Sequence, residues 1–161
     1  ADVLDISELD KNSVMRIQGG GIYKDKNKTI ERWCENYDKM PENIKKRLVL
    51  ENCEKNFSIE DCLKVSEKVN VPIVFDTHHY NCYNKLHPTE KFEKPEYYIP
   101  KILETWNRRG IKVKFHVSEQ GSGKVGHHSD YVETLPEYLL EIPEKYGKPI
   151  DIMNESKLKE K

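Results

Sequence analysis

Short apolar runs alternate with amphipathic stretches along the chain, and each apolar run gives way to a polar side chain. Residues 14–17 read as a strand that Gly19-Gly20-Gly21 breaks. Residues 29–40 carry Ile30, Trp33, Cys34 and Tyr37 at helical spacing, and Pro41 stops that helix. Residues 47–51 predict a second strand, ending on Glu51. Ser58 with Asp61 three residues on is a helix-start signature, and Val65 and Val69 continue the apolar face. Residues 71–76 form a third predicted strand, followed by a longer loop. Residues 95–109 predict a helix with Tyr98, Ile102 and Leu103 inward and Gly110 at its stop. Residues 111–116 predict a fourth strand. Residues 130–146 read as mostly helical, interrupted by Pro136 and Pro143, and residues 149–153 as a fifth strand before a charged tail.

Strand, helix and strand repeated in this way imply right-handed βαβ units and a parallel sheet. A complete (β/α)8 barrel takes roughly 250 residues, with a lower limit near ~200. A chain of 161 residues with five predicted strands is one domain, either an open α/β sheet or part of a barrel. It opens on Ala1 rather than methionine, as expected of a fragment, a processed chain or an expression product.

Composition narrows the class. Hydrophobic residues make up 36% and charged residues 34%, the balance of a soluble α/β protein. Apolar runs fall far short of the roughly 18–20 residues a spanning helix needs, so no membrane partner is expected. A net charge of −1 gives no global sign of a nucleic-acid partner, although a local basic surface can serve in a neutral protein. Cys34, Cys53, Cys62 and Cys82 form no CxxC pair and read as reduced thiols of an intracellular protein, with nucleus, cytoplasm and virion left open.

The chemistry lies at the strand ends. Gln18, Glu51, Asp76, His116 and Glu155 each stand at or just past the end of a predicted strand. In parallel α/β folds the site gathers at the carboxyl ends of the strands, so these side chains can meet. Three carboxylates brought together repel unless a cation neutralises them, and mixed imidazole and carboxylate donors suit Zn, Mn or Fe. Any one such acid is more commonly a helix cap or a loop ion pair. The set requires that coincidence at every strand. His79 and His128, each in a histidine pair near a carboxylate, join His116 as candidate ligands, and Lys114 shares the His116 face of its strand. His87, beside Pro88, is expected to be solvated and inert. Gly121-Ser122-Gly123-Lys124 lacks the spacing of a phosphate-binding loop. Gly19-Gly20-Gly21 reads as a tight turn, and Tyr97-Tyr98 as core and interface rather than a base-stacking platform.

Six motifs in order, Leu48-Val49-Leu50-Glu51-Asn52, Phe75-Asp76-Thr77-His78-His79, Thr105-Trp106, Lys114-Phe115-His116-Val117-Ser118, His128-Ser129-Asp130-Tyr131 and Asp151-Ile152-Met153-Asn154-Glu155-Ser156-Lys157, resemble the UV damage endonucleases. The match runs from about Asp5 to Lys161. The resemblance implies a partial (β/α)8 TIM barrel, the last five β/α units, and a metal-dependent DNA repair endonuclease incising the backbone 5′ of UV photolesions in double-stranded DNA. It implies up to three divalent ions (Mn, Zn or Mg), and fewer in this chain. Glu51 would bridge ions and serve catalysis, Asp76, His116 and Glu155 would complete one metal, and His79 and His128 would serve another. Lys114 would lie near the scissile phosphate. Gln18 stands where the family has histidine, a poorer ligand that weakens the second position most. A partial barrel is expected to associate with itself or with a complementary chain. Two other readings stand beside the nuclease: a non-catalytic metal-binding barrel fragment and a sugar-isomerase-like metal enzyme.

Overall fold

The computed structural model describes residues 1–158. In chain order the elements are α1 (Asp2–Ile6), β1 (Met15–Gln18), α2 (Lys26–Asp38), α3 (Glu42–Arg47), β2 (Leu48–Glu51), α4 (Ile59–Val69), β3 (Ile73–Asp76), α5 (Thr77–Leu86), α6 (Pro95–Asn107), β4 (Val113–Val117), α7 (Glu137–Leu140), α8 (Ile142–Tyr146) and β5 (Ile150–Asn154). The five strands form one sheet in the order β1-β2-β3-β4-β5, each pair parallel. A doubly wound sheet reverses its strand order at a switch point, whereas a barrel adds each strand beside the last. The sequential order here is that of a barrel arc.

The sheet sorts its side chains by parity. Leu48, Leu50, Ile73, Phe75, Val113 and Phe115 are buried and join the core with α2, α4 and α6. The alternate positions, Glu51, Asp76, Lys114 and His116, fall on the opposite face. Local chemistry fixes the strand starts. Thr105 accepts the Ile73 amide at 3.0 Å, and the Trp106 indole donates to the Ile73 carbonyl at 2.7 Å. Arg47, at the foot of β2, donates to Asp5 and to the carbonyls of Leu9, Asp10 and Ser13, fastening the segment that leads into β1. Helix α4 begins in a full capping box between Ser58 and Asp61, as its sequence predicts.

Two expectations are corrected. The stretch after Asp76 is not a loop but helix α5, because the Asp76 carboxylate accepts the His79 amide at 2.7 Å and caps it. The segment 130–146 is helical only from Glu137, in two short pieces. Pro136 precedes α7 and Pro143 sits in the first turn of α8, where a missing N–H costs nothing. The tail residues 159–161 lie outside the described residues. Among the described residues no helix is long and apolar enough to cross a membrane. All four cysteines are buried and unpaired.

Candidate metal centre

Glu51, Asp76, His116 and Glu155 come together at the carboxyl ends of β2, β3, β4 and β5, with one candidate ligand atom from each lying within 4.8 Å of the others. The register explains the meeting: Gln18 pairs with Glu51, and Asp76 with His116. Glu155 follows β5, and its amide donates to the Val117 carbonyl at 3.0 Å, which holds it against β4. Asn52 clamps the neighbouring strand end. Its amide donates to the Asp76 carbonyl at 3.0 Å and accepts the Asp76 amide at 2.9 Å.

Asp76 and Glu51 each have one oxygen committed to the protein and one left over. Asp76 caps α5 through Oδ1, while Oδ2 is buried without a hydrogen bond. Glu51 is fully buried; Oε2 accepts from Arg16 at 2.7 Å and Gln18 at 3.1 Å, while Oε1 accepts none. His116 Nδ1 lies 2.6 Å from Glu51 Oε1 and 3.1 Å from Glu155 Oε1, yet it has no aligned hydrogen bond. Buried polar atoms are rarely left unpaired, and three together aimed at one small volume fit a cation that accepts all their lone pairs. The donor set, three carboxylates and one imidazole, suits a divalent ion.

The electrostatics agree. Burial works to lower the His116 pKa, but Glu155 and Glu51 outweigh it and raise it to about 9. The His116 contact holds Glu155 down to about 2 against burial, with Arg16 assisting. Burial raises Asp76 well above the usual carboxylate range, against the pull of His79, and Glu51 and Glu155 push it further. A site that draws a proton onto histidine is short of positive charge.

The other predicted residues adjoin this group without entering it. His79 Nδ1 meets the Asn52 carbonyl at 3.0 Å and lies 3.6 Å from Asp76 and 3.8 Å from Glu51. His128 Nδ1 meets the Glu155 carbonyl at 2.5 Å, and its ring centroid is 6.2 Å from that of His79. Lys114 sits one layer below, ion-paired to Asp151 at 2.7 Å. Because a carboxylate only accepts, Gln18 presents its NH2 side to Glu51 and acts as a donor there. His87 is half-buried: its ring stacks on Tyr83 at 3.9 Å and its Nδ1 meets the Tyr83 carbonyl, ending α5. Tyr98 is buried with its hydroxyl on Glu60, whereas Tyr97 is exposed. The Gly121 loop folds back on His128, so close that a Cβ on Gly121 would meet the His128 carbonyl oxygen at 2.3 Å.

Arg16 was not singled out from sequence, although it stands two residues before Gln18 and therefore on the same face. Asp151 stands in the last of the six motifs without a role of its own, and the structure pairs it with Lys114 and Lys112. His78 was set in a histidine pair, and the structure places it against Cys82, with burial first and then His128 and His79 lowering its pKa to about 4.

A sequentially ordered parallel sheet bearing a buried carboxylate–imidazole group at its carboxyl rim defines the class: an α/β-barrel-type protein with a candidate metal centre. The comparisons make this specific. The model of the family described as UV-endonuclease UvdE matches residues 1–161, and the chain belongs to that family. It is 41% identical over 162 residues to a candidate UV-damage endonuclease of Acanthamoeba polyphaga mimivirus, covering 99% of this chain and 47% of that protein. It is 37% identical over 161 residues to the UV DNA damage endonuclease of Bacillus cereus strain B4264, covering 98% of this chain and 49% of the relative. The crystal structure of SacUVDE superposes with a TM-score of 0.78 at 29% identity, over 99% of this chain and 50% of that one. The chain thus spans about half the length of the relatives it matches.

Proposed function

We propose that this chain carries the metal-holding part of a DNA repair endonuclease that cuts the backbone of UV-damaged double-stranded DNA 5′ of the lesion, within the compartment that holds the DNA. The observation that carries this reading is the convergence of Glu51 Oε1, Asp76 Oδ2 and His116 Nδ1, buried and without hydrogen bonds, beside Glu155. In this reading Glu51, Asp76, His116 and Glu155 hold one divalent ion, Mn or Zn before Mg because of the imidazole. When bound, such an ion supplies Lewis-acid charge for phosphate oxygens. Asn52 keeps Asp76 in place, and Glu51 also serves catalysis at the cluster edge. His79 and His128 form the flank at which a further ion would sit. Lys114 supplies positive charge toward the scissile phosphate once freed from Asp151.

A second reading, a metal-binding barrel portion without nuclease activity of its own, is favoured by one observation. Arg16 and Gln18 both donate to Glu51 Oε2, the oxygen a bridging role would need. Incubation with supercoiled plasmid separates the two. The nuclease reading expects Mn2+-dependent nicking of UV-irradiated plasmid, abolished by EDTA and absent on undamaged plasmid. Metal-loaded, folded protein that leaves both plasmids intact would establish the second reading for the isolated chain.

A further inference from the structure

The two oxygens of Glu51 face different partners. Oε1 points to His116 and has no hydrogen bond, whereas Oε2 takes two donors, Arg16 Nη1 at 2.7 Å and Gln18 Nε2 at 3.1 Å. Two donors fill the lone pairs of one carboxylate oxygen. The same guanidinium reaches Glu155 Oε1 through Nη2 at 3.0 Å. Arg16 therefore bridges two of the four candidate ligands and links the first strand to the segment after the last. It arrives there by parity: Arg16 lies beside Val49 in the β1–β2 register, on the face that carries Glu51 two residues on. The Glu51 carboxylate is fully buried.

We infer that Arg16 is a resident cation of this centre, which occupies one side of the Glu51–Glu155 carboxylate pair and limits the chain to a single divalent ion held on the other side. The inference rests on the metal-site reading above. A guanidinium suits the task because it is permanently charged and its planar fork matches two acceptors, here one from each carboxylate. Its fixed charge neutralises acidity that a second ion would otherwise relieve. It also leaves Oε1 of Glu51, Oδ2 of Asp76 and Nδ1 of His116 as donor atoms that the guanidinium does not touch. Lysine cannot reproduce the arrangement, since an ammonium is a point charge without the fork.

Calorimetric titration of the metal-stripped protein with Mn2+, checked by elemental analysis, tests the assignment, with near-UV circular dichroism verifying the fold of each variant. The wild type is expected to bind about one ion per chain, the number a closed four-donor set holds. Arg16→Met is expected to bind roughly ten-fold tighter or to take up a further equivalent, since it removes a fixed like charge that repels an ion held by the same carboxylates. Arg16→Lys is expected to fall between the two, and it carries the comparison if Arg16→Met does not fold. Binding by Arg16→Met with none by the wild type would overturn the single-ion assignment, since the wild type would then hold no ion at all. Two or more ions on the wild type, or unchanged affinity and stoichiometry in Arg16→Met, would overturn it while leaving the metal site standing. No binding by either protein would overturn both.

Discussion

His116 and Glu155 form the pair on which the acidity of the centre turns. The folded pKa of His116 lies above its ordinary 6.5, so its contribution to stability is complete below about 6.5 and is lost as pH rises through about 9. That of Glu155 lies below its ordinary 4.5, so its contribution is complete above about 4.5 and is lost as pH falls through about 2. The stability difference between metal-stripped wild type and His116→Gln, measured by urea unfolding, is therefore expected to be largest between about pH 4.5 and 6.5 and to shrink toward pH 9. A difference that stays level or grows to pH 9 contradicts the ion pair. Divalent metal should move the optimum upward, because a ligating imidazole must be neutral. At this scale the sequence was legible wherever a polar residue ended an apolar run, which located Glu51, Asp76 and His116. Arg16 was hidden inside a run, where an isolated cation reads as a surface residue. Asn52 was visible only as part of a motif, because its role is two hydrogen bonds to a strand 24 residues away.

Among the elements, the strands were the most legible and the connections the least. Ile73, Val74 and Phe75 are all buried in one short apolar run, and such a run is a local signal. Helix α5 was missed because its buried face is made of Thr77, His78, His79, Tyr80, Cys82 and Tyr83, which form no aliphatic stripe. The residue that starts it, Asp76, reads from sequence as a candidate ligand, and its Oδ1 also caps the helix. The loop before His128 depends on Gly121, whose absent Cβ lets the backbone pass against the His128 carbonyl. Gly121→Ala is expected to cost about 1–3 kcal/mol of stability, as overpacking does, and to displace His128. Unchanged urea unfolding together with unchanged His128 side-chain resonances in NMR would show that the loop tolerates the methyl group.

For the whole molecule, the sheet is an arc with β1 and β5 at its edges. Arg16 to Glu155, and the Lys112 amide to Asn12 at 2.8 Å, draw the first strand toward the last two across the inner face. Those contacts do not pair the edges. Gln18 and Met153 are exposed, and Ile150 and Ile152 are only half-buried. Unpaired edges with wet apolar positions favour association. Sedimentation velocity is expected to show self-association, or capture of a complementary barrel segment supplied in trans. A compact monomer at micromolar concentration that ignores such a segment would contradict this.

The central claim is that Glu51, Asp76, His116 and Glu155 together hold a divalent ion. Elemental analysis of folded protein after Mn2+ loading and dialysis tests it most directly, comparing the wild type with Glu51→Gln and His116→Ala. The account predicts about one retained ion in the wild type and little in either variant, since each removes one donor of a four-donor set. Equal metal in all three proteins, or none in the wild type, would contradict it.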